Sequence, residues 1–250
     1  MLYPILVILG TLGLLGGLLA GLAVLTRRWH LPGESVRKAL HVLMALAMLP
    51  LPYVLPDLRA VWALALAATG AMLAVRYVRA LHTRVGCVVY GIERQSWGDL
   101  CFPFGIALVY SLTRGDVLVY EVAVAALAFG DPAAAIVGGR SRDVVSVPGG
   151  RASVRGTLAC AGVVLVLALV VGVAPGLAVA LAGTVALVEA ATGWGLDNVT
   201  LPLAVGVVLV GPAWLALTML LLAGGVLLGS AMQVSAASEV ARRSEVRFQP

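Results

Sequence analysis

Long apolar stretches separated by short polar clusters set the rhythm of this chain. Runs of about 17 to 25 residues, the length that crosses about 30 Å of hydrocarbon, fall near 3–25, 38–56, 59–75, 97–113, 117–138, 156–174 and 176–192. A last stretch, 201–232, is too long for one ordinary span and carries Gly211-Pro212, where proline removes a backbone donor. It reads as two short helices or one bent helix. The pattern predicts an all-α fold: a polytopic bundle of about seven to nine transmembrane helices. They form a single integral membrane domain over 1–250, with a polar tail at 233–250.

Composition agrees with this class, since 61% of residues are hydrophobic and only 12% charged, with a mean hydropathy of +1.04. The first run has no basic segment before it and is followed by Arg27-Arg28 rather than a small-residue cleavage site, so it is expected to stay as a helix. Gly13, Gly17 and Gly21 recur at every fourth position of that run and predict a face where a neighbouring helix packs closely.

Charge orients the bundle. Of the 17 Lys and Arg residues only Arg59 and Arg114 fall in one set of loops. The others follow the first, third and fifth runs or lie near the C-terminus, which makes that side cytoplasmic by the positive-inside rule. The N-terminus is then expected outside and the C-terminus inside, in an inner or plasma membrane. A cytoplasmic C-terminus favours two helices in the last stretch. The net charge of +5 sits in these loops and suits anionic lipid or a polyphosphate, while no soluble basic domain exists to carry nucleic acid. Cys87, Cys101 and Cys160 lack ligand spacing and make no disulfide framework.

Four polar clusters remain, and the topology brings all of them to the cytoplasmic membrane surface: Arg37-Lys38 with His41, Glu93 to Asp99, Gly130-Asp131 to Arg155, and Glu189 to Asn198. Asp131 is the sharpest signal, because a carboxylate at the end of an uncharged apolar run must face protein, water, a cation or substrate. Asp131, Asp197 and Asn198 offer hard oxygen ligands for Mg²⁺, and Arg140, Arg151 and Arg155 can neutralise phosphate oxygens. Gly138 and the residues around it let backbone approach a phosphate. Ser153 to Thr157 open the sixth run, where a helix N-terminus would present free N–H groups to an anion. Arg37, Lys38 and His41 share a helical face and are expected to touch phosphate. Each residue also has a plainer reading: Asp131 as a helix-end carboxylate paired with an arginine, Asp197 and Asn198 as a turn or helix cap ahead of Pro202, Glu189 as an interfacial side chain.

In sequence, Arg37-Lys38-x-x-His41, Trp97-Gly98-Asp99 to Phe102-Pro103, Gly130-Asp131-x-x-Ala134, Ser153-x-x-Gly156-Thr157 and Glu189-Ala190-x-x-Gly193 to Asp197-Asn198-x-Thr200-x-Pro202 resemble the dolichol kinase, phytol kinase and CTP-dependent diacylglycerol kinase family. The resemblance covers roughly 34–205, and the stretch ending in Asp197-Asn198 is its most specific part. It implies a membrane-embedded lipid kinase that moves the γ-phosphoryl group of CTP, or less often another nucleotide, to an isoprenoid alcohol or diacylglycerol. Asp131, Asp197 and Glu189 would be its catalytic residues. Mg²⁺ would sit on Asp131, Asp197 and Asn198. Arg37, Lys38, His41, Gly130, Gly138, Arg140, Arg151, Ser153, Arg155, Gly156 and Thr157 would bind the nucleotide. Where the family usually carries Lys-Ser before the glycine of the sixth helix, this chain has Ala152-Ser153, with Arg151 one place earlier.

Two other readings stay open. A CDP-lipid synthase also joins CTP to a membrane lipid but attacks the α-phosphorus; that family ends in a His-, Gly- and paired-Asp-rich motif, unlike Asp197-Asn198-x-Thr200 here. A non-catalytic transporter or lipid-binding relative would also place charge at membrane depth, but a transporter should show inverted repeats and none is found.

Overall fold

A computed structural model of the chain describes residues 2–90, 96–113, 116–139, 141, 143–147 and 150–211. The Gly211-Pro212 break and everything after it, together with Glu93, Arg140 and the side chain of Arg151, lie outside the described residues. The elements in order are α1 (Leu2–Trp29), α2 (Gly33–Met48), α3 (Leu51–Val54), α4 (Leu58–Tyr77), α5 (Arg79–Val89), α6 (Gly98–Thr113), α7 (Val117–Gly138), β1 (Val144–Val147), β2 (Gly150–Ser153), α8 (Val154–Val170), α9 (Pro175–Ala191) and α10 (Asp197–Val210). The fold is all-α apart from one small hairpin. Among the described residues α1, α4 and α7 are long and apolar enough to cross a membrane, and α6, α8, α9 and α10 are shorter apolar helices.

Several boundaries follow from local chemistry. Asp57 caps α4 by accepting from the Arg59 N–H at 3.0 Å, and Asp116 caps α7 by accepting from the Val119 N–H at 3.1 Å. The run expected over 38–56 is divided: α2 ends at Met48 and α3 begins after Pro50, because Pro50 and Pro52 have no N–H to continue the ladder. The basic stretch after α4, expected as a loop, forms α5, which packs against α1 and α4. Val75 of α4 and Val88 of α5 join Leu19, Leu22, Val36 and Leu40 in a small second core.

The main core surrounds α7, which packs on α2, α6, α8 and α10. Its buried face is built from small residues such as Ala123, Ala126, Ala128, Gly130 and Ala134, which lets neighbouring backbones come close where hydrophobic driving force between helices is weak. At Gly156 of α8 an added Cβ would lie 2.7 Å from the Ala134 carbonyl oxygen and 3.1 Å from Gly138 Cα. At Gly105 of α6 it would lie 2.0 Å from the Asn198 carbonyl oxygen. Close helix packing accounts for Gly130, Gly138 and Gly156 as fully as phosphate approach would. At one end of the bundle two buried tyrosines stack edge to face at 5.6 Å. Tyr120 donates to the Met48 carbonyl at 2.9 Å and Tyr110 to the Leu55 carbonyl at 3.3 Å.

The glycine face of α1 corrects an expectation. No neighbouring atom among the described residues lies within 4 Å of a Cβ placed at Gly13, Gly17 or Gly21; the residues that α1 buries are Leu19, Leu22 and Ala23. The contrast is testable by thermal unfolding in detergent: Gly105→Leu should cost about 3 kcal/mol or more by overpacking, whereas Gly13→Leu should leave the midpoint unchanged.

Candidate active site

Because successive helices run in alternating directions, the starts of α2, α8 and α10 and the ends of α7 and α9 meet at one end of the bundle. There they enclose a cavity of about 520 Å³. Asp131 reaches it from α7, Glu189 from α9 and Asp197 from the first turn of α10. Glu34, Arg37 and Lys38 line it from α2, and Ser141, Val144, Val147, Ala152, Ser153 and Thr157 from the hairpin and α8. Asp131 lies within electrostatic reach of both Glu189 and Asp197. Four carboxylates and two cations therefore face one cavity among the described residues.

The cations are already paired. Glu34 meets Arg37 at 3.1 Å and Lys38 at 3.4 Å. Sequence reading passed over Glu34, although its spacing of three and four residues from two cations is the signature of a helical ion pair.

The α9–α10 turn that carries Asp197 is fixed by backbone conformation. Trp194 and Gly195 both have positive φ, 63° and 89°, and a Cβ on Gly195 would sit 2.1 Å from the Gly98 nitrogen. Only glycine fits there. The turn is held against the segment before α6 by the Trp97 N–H donating to the Trp194 carbonyl at 2.8 Å.

The start of α8 corrects a second expectation. Its N–H groups are not free for an anion: Gly156 N–H donates to Ser153 Oγ at 3.0 Å, Arg155 N–H to an Asp143 carboxylate oxygen at 3.1 Å and Val154 N–H to the Asp143 carbonyl at 3.4 Å. Ser153 is a helix cap that also lines the cavity, and Asp143 is a functional-site neighbour that sequence reading missed. The Ser141 hydroxyl, with the Arg155 N–H, holds the Asp143 carboxyl below its usual range. Between them β1 and β2 pair antiparallel, Val144 opposite Ser153 and Val147 opposite Gly150. The alternating valines of 144–147 signal this strand inside what composition marks as a basic loop.

The remaining expected residues are distributed as follows. Gly138 and Gly156 line the cavity, and Gly130 packs with 3.2 Å between its would-be Cβ and Cys160 Sγ. Arg155 is exposed and is not among the residues lining the cavity. His41 and Asn198 face a second cavity beside the first instead of joining Lys38 and Asp197. His41 Nε2 lies 3.0 Å from the Leu127 carbonyl oxygen, a bond it makes as a donor, and 3.9 Å from an Asp131 carboxylate oxygen. The α2 face turned toward α7 accounts for this: the His41 ring lies against Phe102 at 6.0 Å, buried beside the helix backbone.

Asp99, beside the site, is fully engaged. Arg76 pairs with it at 3.2 Å and Tyr90 donates to it at 2.6 Å, while the Arg76 guanidinium lies over the Trp97 ring at 4.6 Å and the Tyr90 ring at 5.3 Å. Burial, then the Asp99 hydrogen bond, pushes the Tyr90 phenol up to about 12. The group holds α4, α5 and α6 together.

Among the described residues no three His, Cys, Asp or Glu side chains stand close enough together to hold a metal ion by themselves.

Asp143→Ala should lower hydrogen-exchange protection of the Arg155 amide about tenfold, the loss of one charge-assisted bond. Since the Asp143 carboxyl titrates below its ordinary value of about 3.9, the bond is fully present above that pH and is lost as pH falls through the lower folded value. Protection in the unsubstituted protein, corrected for intrinsic rate, should therefore fall only at strongly acidic pH.

The chain matches no family model, no curated protein and no solved structure.

Proposed function

We propose that the protein is a Mg²⁺-dependent lipid kinase that transfers the γ-phosphoryl group of CTP to the hydroxyl of a membrane alcohol. The observation that carries this reading is the mixed charge of the 520 Å³ cavity, where, among the described residues, Asp131, Glu189, Asp197 and Glu34 stand beside Arg37 and Lys38. A bare anion is repelled there. A triphosphate that arrives with a divalent cation brings positive charge to the carboxylates and negative charge to the cations, and both partners are then satisfied.

In this reading eight of the described helices, α1, α2, α4 and α6 to α10, cross the membrane, the N-terminus lies outside and the cavity opens to the cytoplasm, as the basic loops favour. Asp131 and Asp197 would hold Mg²⁺ by hard carboxylate oxygens, and the ion would neutralise charge on the triphosphate. Arg37 and Lys38 exchange Glu34 for phosphate oxygens and orient the chain of phosphates. A carboxylate of the cluster, Glu189 or Asp131, accepts the proton as the alcohol oxygen forms its bond to the γ-phosphorus. The bond from that phosphorus to the β-phosphate oxygen breaks, and CDP leaves. Positioning and charge neutralisation supply most of the rate enhancement. The resemblance of the motifs to the dolichol, phytol and diacylglycerol kinases supports the same chemistry.

The test uses purified protein in lipid bilayers with Mg²⁺ and a mixture of polyprenol, phytol and diacylglycerol, with CTP labelled at the γ- or the α-phosphate. Label should reach lipid from the γ position alone. Label from the α position would make the protein a cytidylyltransferase, and no label from CTP, UTP or ATP would reject catalysis.

Asp131→Asn and Asp197→Asn should each reduce turnover about a hundredfold or more while leaving the unfolding midpoint unchanged or raised, since each removes one of several crowded negative charges. A fall in midpoint matching the loss of activity would assign the aspartates a structural role instead.

A further inference from the structure

The helix α5 is too short and too polar to cross a membrane: its 11 residues extend about 16 Å and include two arginines and a histidine. It joins two helix ends instead. Arg27, in the last turn of α1, donates to the Thr83 and Arg84 carbonyls. Tyr90, at the close of α5, donates to Asp99, which pairs with Arg76 in the last turn of α4. α5 therefore lies across the end of the bundle where α1 and α4 finish. The charged cavity is at the same end, since Ser96, whose carbonyl accepts from Arg76 at 2.7 Å, lines it.

Gly86 and Val88 form the buried face of α5. Its outer face is basic: Arg79 and Arg84 are exposed, as are Arg27 and Arg28 at the adjoining end of α1. Glu34 pairs with Arg37 and Lys38, Asp131 stands near His41, and Asp99 pairs with Arg76; among the described residues no carboxylate pairs with Arg27, Arg28, Arg79 or Arg84. Arg79 opens α5, so its charge adds to the positive end of the helix dipole and gives the helix no local stabilisation. The positive-inside rule accounts for the side on which these arginines lie, not for a helix folded to hold them on one surface. Large apolar side chains stand exposed among them: Trp29 at 62%, Tyr77 at 73% and Leu81 at 38%. Arginine interleaved with tryptophan, tyrosine and leucine is the composition of a surface at the boundary of headgroups and acyl chains.

We propose that α5 and the last turn of α1 form a binding surface for anionic phospholipid, the four arginines meeting headgroup phosphates while Trp29, Tyr77 and Leu81 enter the acyl boundary. A leaflet supplies both things this surface calls for, negative charge spread over several headgroups and an apolar layer beneath them. The lipid bound here is a structural partner and not a reactant, so the inference stands apart from the kinase reading and needs only the membrane.

Binding is measured by calorimetric titration of the full chain in neutral detergent, without nucleotide, using dioctanoyl phosphatidylglycerol and dioctanoyl phosphatidylcholine. The anionic lipid should bind about tenfold or more tightly than the zwitterionic one, and raising salt from about 0.05 to about 0.5 M should erode that preference. The double variant Arg79→Gln with Arg84→Gln should weaken phosphatidylglycerol about twentyfold, at roughly fivefold per cation, with an unchanged unfolding midpoint because both side chains are exposed. Arg28→Gln, a second variant at the α1 end, should weaken it about fivefold. Arg59→Gln, at the exposed start of α4 and so at the opposite end of that helix, should leave binding as it is. Equal binding of the two lipids, undiminished binding in the Arg79/Arg84 and Arg28 variants, or equal weakening by Arg59→Gln overturns the proposal. So does inorganic phosphate that displaces the lipid at comparable concentration, which would make this a site for a soluble anion. A protein that passes these tests and never transfers γ-label upholds the lipid surface and rejects the kinase.

Discussion

The structure is organised by the cost of keeping carboxylates among apolar helices. Asp131, Glu189 and Asp197 arrive from three different helices and face one cavity. An ionised carboxylate in an apolar setting costs several kcal/mol unless cations, hydrogen bonds or water compensate it. Among the described residues two cations face them, both shared with Glu34. The cavity thus presents both signs of charge.

Helix packing delivers these groups to one place. Small residues on α7 bring α8 and α10 close, and the Gly156 contact with the Ala134 carbonyl fixes how far along α7 the start of α8 lies. The opposite end of α7 is tied by Tyr120 to the Met48 carbonyl, an apolar lock with no chemistry of its own. Between them the helix has a dry structural half and a charged working half, and Pro132, which has no N–H for the Ala128 carbonyl, marks the change.

The two cavities differ in character. One is polar and charged, the other apolar, and Arg37 and Ser96 belong to both. Arg76, which pairs with Asp99 and lies over the Trp97 and Tyr90 rings, stiffens the structure beside them.

The helical class, the membrane character of the chain and the prominence of Asp131, Glu189 and Asp197 were legible in the sequence, because hydrophobic period and isolated charge are properties of neighbouring residues. Helix starts at Asp57 and Asp116 belong to the same category, since a cap acts within one turn. Tertiary structure alone decided which polar groups share a cavity: His41 was grouped with Arg37 and Lys38 by helical spacing and Asn198 with the carboxylates expected to hold metal, yet the packing of α2 and α10 against α7 turns both toward the apolar cavity. It also decided that the α8 N-terminus is closed by Asp143, twelve residues before Arg155, and that no helix among the described residues lies against Gly13, Gly17 and Gly21. Each of these depends on contacts between residues far apart in the chain or brought together by a strand turn, and local pattern carries no information about such distances.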